Sequence, residues 1–145
     1  MDKKYFIILA LLLGCTWSYG QQNIGCLYDE FSRIDEVGRM HMNLGLHTET
    51  ARIETIDISN FEDCTPQVKE RFAAAVGKVK DPAYETLLTA QRNHTRMRVL
   101  IRIKKEMIRE IVILTTGQKN SIVRIQGAIK KSEVDNVIES YGYGC

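Results

Sequence analysis

Apolar positions along this chain change their spacing several times, and each spacing predicts an element. Cys26 to Ile34 carries Leu27, Phe31 and Ile34 at steps of four and three, the face of a short amphipathic helix. Val37 to Leu46 is rich in Met and Leu but interrupted by Gly38 and Gly45, and reads as a weak strand. From Arg52 to Ser59 the period is two, with Ile53, Thr55 and Asp57 on one side and Glu54, Ile56 and Ile58 on the other, which predicts a strand. Thr65-Pro66 predicts a helix start, because Thr65 can cap and Pro66 takes the first helical position, where its missing N–H costs nothing. Val68, Phe72, Ala75, Val76 and Val79 continue the helical stripe, and Gly77 marks its end. Asp81-Pro82 repeats the start signal and predicts a second, shorter helix with Tyr84, Leu87 and Leu88 as its apolar face.

The C-terminal half is patterned differently. Met97, Val99, Ile101 and Ile103 alternate with Arg96, Arg98, Leu100, Arg102 and Lys104, as in a half-buried strand. Lys105-Glu106 falls at a turn, and Ile108 to Leu114 is apolar almost throughout, as a central strand covered on both faces would be. A polar loop from Thr116 to Asn120 leads to a third strand from Ile122 to Gly127. Ser132 then caps a last helix in a capping-box pattern with Asp135, its Val134, Val137 and Ile138 pointing inward. Short connections make these three strands an antiparallel meander. The expectation is therefore an α+β domain, an antiparallel sheet ending in a three-strand meander with helices packed on one face.

The first twenty residues follow another logic. Met1-Asp2-Lys3-Lys4 is a short basic start, Tyr5 to Leu13 an apolar run of nine, and Ser18-Tyr19-Gly20 a small-residue cleavage site before Gln21. These are the parts of a secretory signal peptide, and nine residues fall short of the roughly 20 that span a bilayer. A second pattern, Leu12-Leu13-Gly14-Cys15, resembles a lipobox whose cysteine would be lipidated and would tether the protein to a membrane. Residues 1–20 are thus expected to be a signal peptide and residues 21–145 a single domain. That domain is destined for the periplasm or secretion, with lipid tethering through Cys15 as the alternative. No transmembrane segment is expected after cleavage.

Cleavage after Gly20 leaves 125 residues, the size of one hydrophobic core, with 18 basic and 17 acidic side chains. Near-neutral charge without long single-sign blocks gives no case for nucleic acid. Two prolines and no Gly/Ser-rich run argue against linkers or disorder.

Three cysteines remain, and an exported chain meets oxidising conditions. A Cys26–Cys64 bridge would contribute about 3–4 kcal/mol by chain entropy. Cys145, ending a Tyr-Gly-Tyr-Gly-Cys tail, would be left for an intermolecular bond or a free thiol. A fully reduced set is the competing expectation.

Tyr84-Glu85-Thr86-Leu87-Leu88, Arg98-Val99-Leu100-Ile101-Arg102, Ile108-Arg109-Glu110-Ile111-Val112-Ile113-Leu114 and Val123-Arg124-Ile125-Gln126-Gly127 resemble a family of exported bacterial proteins known as domain of unknown function 4252. The resemblance spans about residues 24 to 139. It implies a signal peptide, a Gram-negative envelope location and one small α+β domain, and it implies no activity.

Candidate chemistry is sparse, and no cofactor is expected. His41 and His47, six apart, could be joined by Cys26, Cys64, Asp57 or Asp63 only if the chain brought them together, and their spacing lacks a zinc pattern. His94 reads as a loop residue. Cys64, preceded by Glu62-Asp63, is a poor thiolate site because acidic neighbours raise its pKa. Glu62 and Asp63 themselves read as solvated charges favouring the next helix's N-terminus.

The most suggestive feature is a basic stripe. Arg96, Arg98, Arg102 and Lys104 share one side of a strand, with Arg124 on a neighbour. Together they could hold an envelope protein, an anionic glycan or a lipid. The competing reading is a solvated face whose charges are answered by Glu106 and Glu110. The expectation is a non-catalytic envelope domain that binds through this stripe. The alternatives are a small envelope hydrolase, or a structural subunit dimerising through Cys145.

Overall fold

The computed structural model describes residues 23–47 and 51–141. The leader expected over residues 1–20, with its Cys15, and the terminal Cys145 lie outside the described residues. Helix α1 (Ile24–Ser32) starts at Asn23, whose side chain accepts from the Cys26 amide at 2.7 Å. Strands β1 (Gly38–His47) and β2 (Ala51–Asn60) follow. Helix α2 (Pro66–Gly77) starts as expected, with Thr65 Oγ1 accepting from the Val68 amide at 3.3 Å. Strands β3 (Glu85–Arg92), β4 (Thr95–Lys104), β5 (Met107–Gly117) and β6 (Ser121–Ile129) complete the sheet. A short 3-10 turn at Lys131–Glu133 leads into helix α3 (Val134–Tyr141).

All five strand pairings are antiparallel, in the order β1-β2-β6-β5-β4-β3. The β1–β2 hairpin comes first, and α2 then carries the chain to the far edge. The run β3-β4-β5-β6 walks back until β6 pairs with β2. The expected meander is present, and β3 extends it by one strand.

Burial on both faces explains the composition of the centre. On one face Leu100, Val112, Leu114 and Ile122 pack beneath α1 and α2, with Ile24, Leu27, Val76 and Val79. Three phenylalanines knit that layer: Phe61 stacks on Phe72 at 4.3 Å, and Phe31 meets Phe72 edge-on at 5.3 Å. On the other face Val99, Ile101, Ile111, Ile113, Val123 and Ile125 form a second cluster with Val134, Val137 and Ile138 of α3. The α+β class holds, but the helices do not share one face as expected: α1 and α2 cover one face, and α3 covers the other, whose apolar side chains also need burying.

Two local expectations need correcting. The second helix predicted after Asp81-Pro82 is strand β3. Asp81 spends its carboxylate on the Ile24 amide at 3.1 Å and on the Ala83 amide at 3.0 Å, a turn instead of a helix cap. Residues 85–92 then pair with β4 through a two-residue turn at Asn93-His94, both left-handed at φ 51 and 63. Leu87 and Leu88, expected inside, are 40% and 41% exposed on this edge strand. Nor does Ser132 cap the last helix. It lies within the 3-10 turn, whose cap residue Lys130 makes no side-chain bond.

One carboxylate is buried inside the helix-bearing face. Glu110 of β5 is 1% exposed. Tyr84 donates its hydroxyl to Glu110 Oε2 at 2.6 Å, and Arg124 Nε donates to the same oxygen at 2.8 Å. Arg102 approaches Oε1 at 3.6 Å. Burial, then the hydrogen bond to Glu110 and its charge, push the Tyr84 phenol from 10.0 up to about 12. A pKa raised on folding means that the protonated phenol stabilises the native state below its unfolded value, and that this contribution is lost as pH climbs through the folded one. Urea midpoints of the native protein should therefore exceed those of Tyr84→Phe below pH 10.0, and the gap should close toward about 12; a gap constant across that window would contradict the assignment.

Candidate anion-binding cleft

Four of the five strand pairings slip in register at one level. Register slips between Asn43 and Leu46 of β1, Ile53 and Thr55 of β2, Arg102 and Ile103 of β4, and Ile108 and Glu110 of β5. All lie toward the end where the β4–β5 hairpin turns at Lys105-Glu106. A bulge inserts a residue, bends its strand and re-aims a side chain. Here Arg109 is the extra residue of β5 opposite β4, and Glu54 the extra residue of β2 opposite β6. Gly127 of β6 permits this crossing, because a Cβ there would stand 1.9 Å from the Arg52 carbonyl oxygen.

A polar cleft of about 450 Å³ opens at this level. Its described lining comes from four neighbouring strands and one turn: Arg52 and Glu54 of β2, Arg102 and Lys104 of β4, Lys105, Arg109 of β5, and Gln126 and Gly127 of β6. Five cations thus face one carboxylate among the described residues, and that carboxylate is already paired to Arg52 at 3.1 Å. Gln126 accepts from Thr55 Oγ1 through its amide oxygen at 3.0 Å, which leaves its NH₂ as a donor. Arg102 is the looser partner of Glu110, since Arg124 holds that carboxylate through two nitrogens at 2.8 and 3.4 Å. Converging guanidinium, ammonium and amide donors with little negative charge to answer them are the chemistry of an anion site.

Residues 32–137 match the family described as Domain of unknown function (DUF4252). The chain belongs to the DUF4252 family. No curated protein and no solved structure matches it. The matched stretch contains every strand of the sheet, and with them the whole cleft lining.

Within the DUF4252 domain the expected basic stripe is divided. Arg102 and Lys104 line the cleft. Arg98 instead reaches the C-terminal end of α2, donating to the Val79 carbonyl at 3.0 Å and the Val76 carbonyl at 3.5 Å, where a cation complements the helix dipole. Arg124 is taken by Glu110 and by the Tyr28 ring, 5.3 Å beneath its guanidinium carbon. Arg96 is exposed near the opposite end of β4, opposite Thr116. The stripe is therefore no open sheet face: it lies on the side that carries α1 and α2, and helix carbonyls and Glu110 absorb part of its charge. The expected answer from Glu110 is present, and Glu106 makes no ion pair among the described residues. Arg52, Lys105 and Arg109 were not singled out from sequence; the bulges that aim two of them leave no trace in an alternating pattern.

The remaining candidates stay apart. Cys64 carries a free, buried thiol packed with the phenylalanine cluster, so the expected Cys26–Cys64 bridge is not formed. Burial, with Glu36 and Asp63 nearby, pushes that thiol up. His41 sits exposed on the edge strand β1 and pairs with its cross-strand neighbour Asp57. His94 is exposed in its turn, where its carbonyl accepts from the Gln118 amide. Glu62 accepts from the Asn120 amide at 3.0 Å and closes a turn. Among the described residues no group of three or more His, Cys, Asp or Glu is placed to hold a metal ion, and no helix is long and apolar enough to cross a membrane.

The division of the stripe is open to a direct test. Arg98→Ala should lower unfolding stability by about 1.5–3 kcal/mol, the worth of hydrogen bonds to a charged group, while leaving anion affinity at the cleft unchanged. Lys104→Ala should do the reverse. Denaturant titration and ligand titration of both variants separate the two roles; loss of affinity in Arg98→Ala would return Arg98 to the site.

Proposed function

We propose that this protein is a non-catalytic exported domain that captures an anionic group of an envelope partner in the cleft formed by Arg52, Arg102, Lys104, Lys105 and Arg109. The supporting observation is the convergence of five cations on one cavity whose single described carboxylate is already paired. A charged cavity of this kind, with an apolar sheet at its back, is a focused electrostatic attractor for a ligand of opposite sign. Export is supported by the basic start, apolar run and small-residue site of residues 1–20. Periplasmic or secreted placement follows from that reading, with lipid tethering through Cys15 as its alternative.

The test compares two charge reversals of equal size. Lys104→Glu with Arg109→Glu changes the cleft; Arg92→Glu with Arg96→Glu makes the same change in net charge at the other end of the sheet. Cross-linking in intact envelopes should show partner association lost in the first pair and kept in the second. Equal loss in both would reduce the effect to net charge, and no loss in either would remove the cleft from the function.

A further inference from the structure

The excess of charge in the cleft restricts what can fill it. A carboxylate is flat and singly charged, and one bidentate arginine along its edge satisfies both oxygens. With Glu54 already paired to Arg52, a carboxylate would still leave an excess of three positive charges close together. A sulfate ester is tetrahedral but also carries one negative charge. A phosphate monoester places about −1.5 to −2 charges at neutral pH on one tetrahedral centre with three strong acceptor oxygens. Donors that approach from β2, β4, β5, β6 and the β4–β5 turn suit such a centre, since its oxygens point in different directions.

Size and lining add to this. A cavity of about 450 Å³ exceeds a lone phosphate and leaves space for the group that bears it. The lining is polar, and Glu54 supplies an acceptor among donors, a partner for a hydroxyl of the carrier. We propose that the ligand of this cleft is a phosphate monoester on a hydroxylated carrier, held through the phosphate by Arg52, Arg102, Lys104, Lys105 and Arg109. The inference rests on the anion-binding reading of the same cleft. Either a soluble sugar phosphate or the headgroup of a lipid presents this chemistry.

Calorimetric titration of the full chain with glucose 6-phosphate, glucose 6-sulfate and glucuronate, at fixed ionic strength, tests the class. The phosphate should bind about tenfold tighter than either competitor near pH 7.5, one further charge at close range being worth about that much. That preference should shrink near pH 5.5, below the phosphate's second pKa of about 6. Lys104→Ala and Arg109→Ala should each weaken the phosphate and narrow the preference, while Arg96→Ala should not. Vesicles containing phosphatidylinositol 4-phosphate, against vesicles containing phosphatidylinositol, separate the sources. Capture by the monoester headgroup alone assigns a lipid, and binding only of the soluble phosphate assigns a sugar phosphate. Equal affinity for all three sugar acids would overturn the phosphate inference and leave the anion site standing. No binding of any, unchanged in the Lys104 and Arg109 variants, would overturn both.

Discussion

A carboxylate in the middle of the sheet has to be neutralised where it stands, and the helix-bearing face is organised around that requirement. Glu110 is 1% exposed, and leaving its charge unanswered would cost several kcal/mol. Arg124 and Tyr84 supply short hydrogen bonds, and Arg102 adds a longer one-sided contact. Tyr84 comes from the segment before β3, so satisfying Glu110 also fixes how the chain leaves α2 and enters the sheet's far edge. Removing one partner of such a buried pair typically costs about 3–5 kcal/mol.

The same requirement shapes the cleft. Glu110 sits beside the register slip of β5, with Arg109 as the inserted residue next to it. One residue of the pair is buried and neutralised, and its neighbour is aimed into the cavity. Arg102 belongs to both environments, since its guanidinium touches Glu110 and lines the cleft. Negative charge arriving in the cavity therefore competes only weakly with Glu110, which Arg124 already holds. Farther along the same face, the phenylalanine cluster and the hydrogen bonds from β4 to the end of α2 tie down the helices, and Arg98 is spent on that task.

The central strands were legible because burial on one or both sides writes a period into the residues. Arg96 to Lys104 alternates, Ile108 to Leu114 is apolar apart from Arg109 and Glu110, and both stretches are strands as expected. Strand β3 was not legible for the converse reason. It is an edge strand exposed along nearly its whole length, so no buried side imposes a pattern on Glu85 to Arg92, and Asp81-Pro82 gave a strong but misleading start signal. What marks it is Asn93-His94, a two-residue left-handed turn for which asparagine is well suited. The site was half legible. Alternation put Arg98, Arg102, Lys104 and Arg124 on one side, which is where they lie. The helix-end carbonyls that take up Arg98 lie 19 and 22 residues away in sequence, whereas Glu110 was already expected to answer the stripe. Arg52 and Arg109 enter through bulges, which break the very period that sequence reading relies on.

The central claim is that charge in this cleft is arranged for a ligand and is not merely a solvated surface. Nuclear magnetic resonance with phosphate titrated at constant ionic strength tests it most directly. The side-chain amide of Gln126 and the backbone amide of Gly127 should shift saturably, while Thr115 and Asn120 at the opposite end of the sheet stay fixed. Small shifts spread over all exposed basic residues, rising without saturation, would contradict the claim.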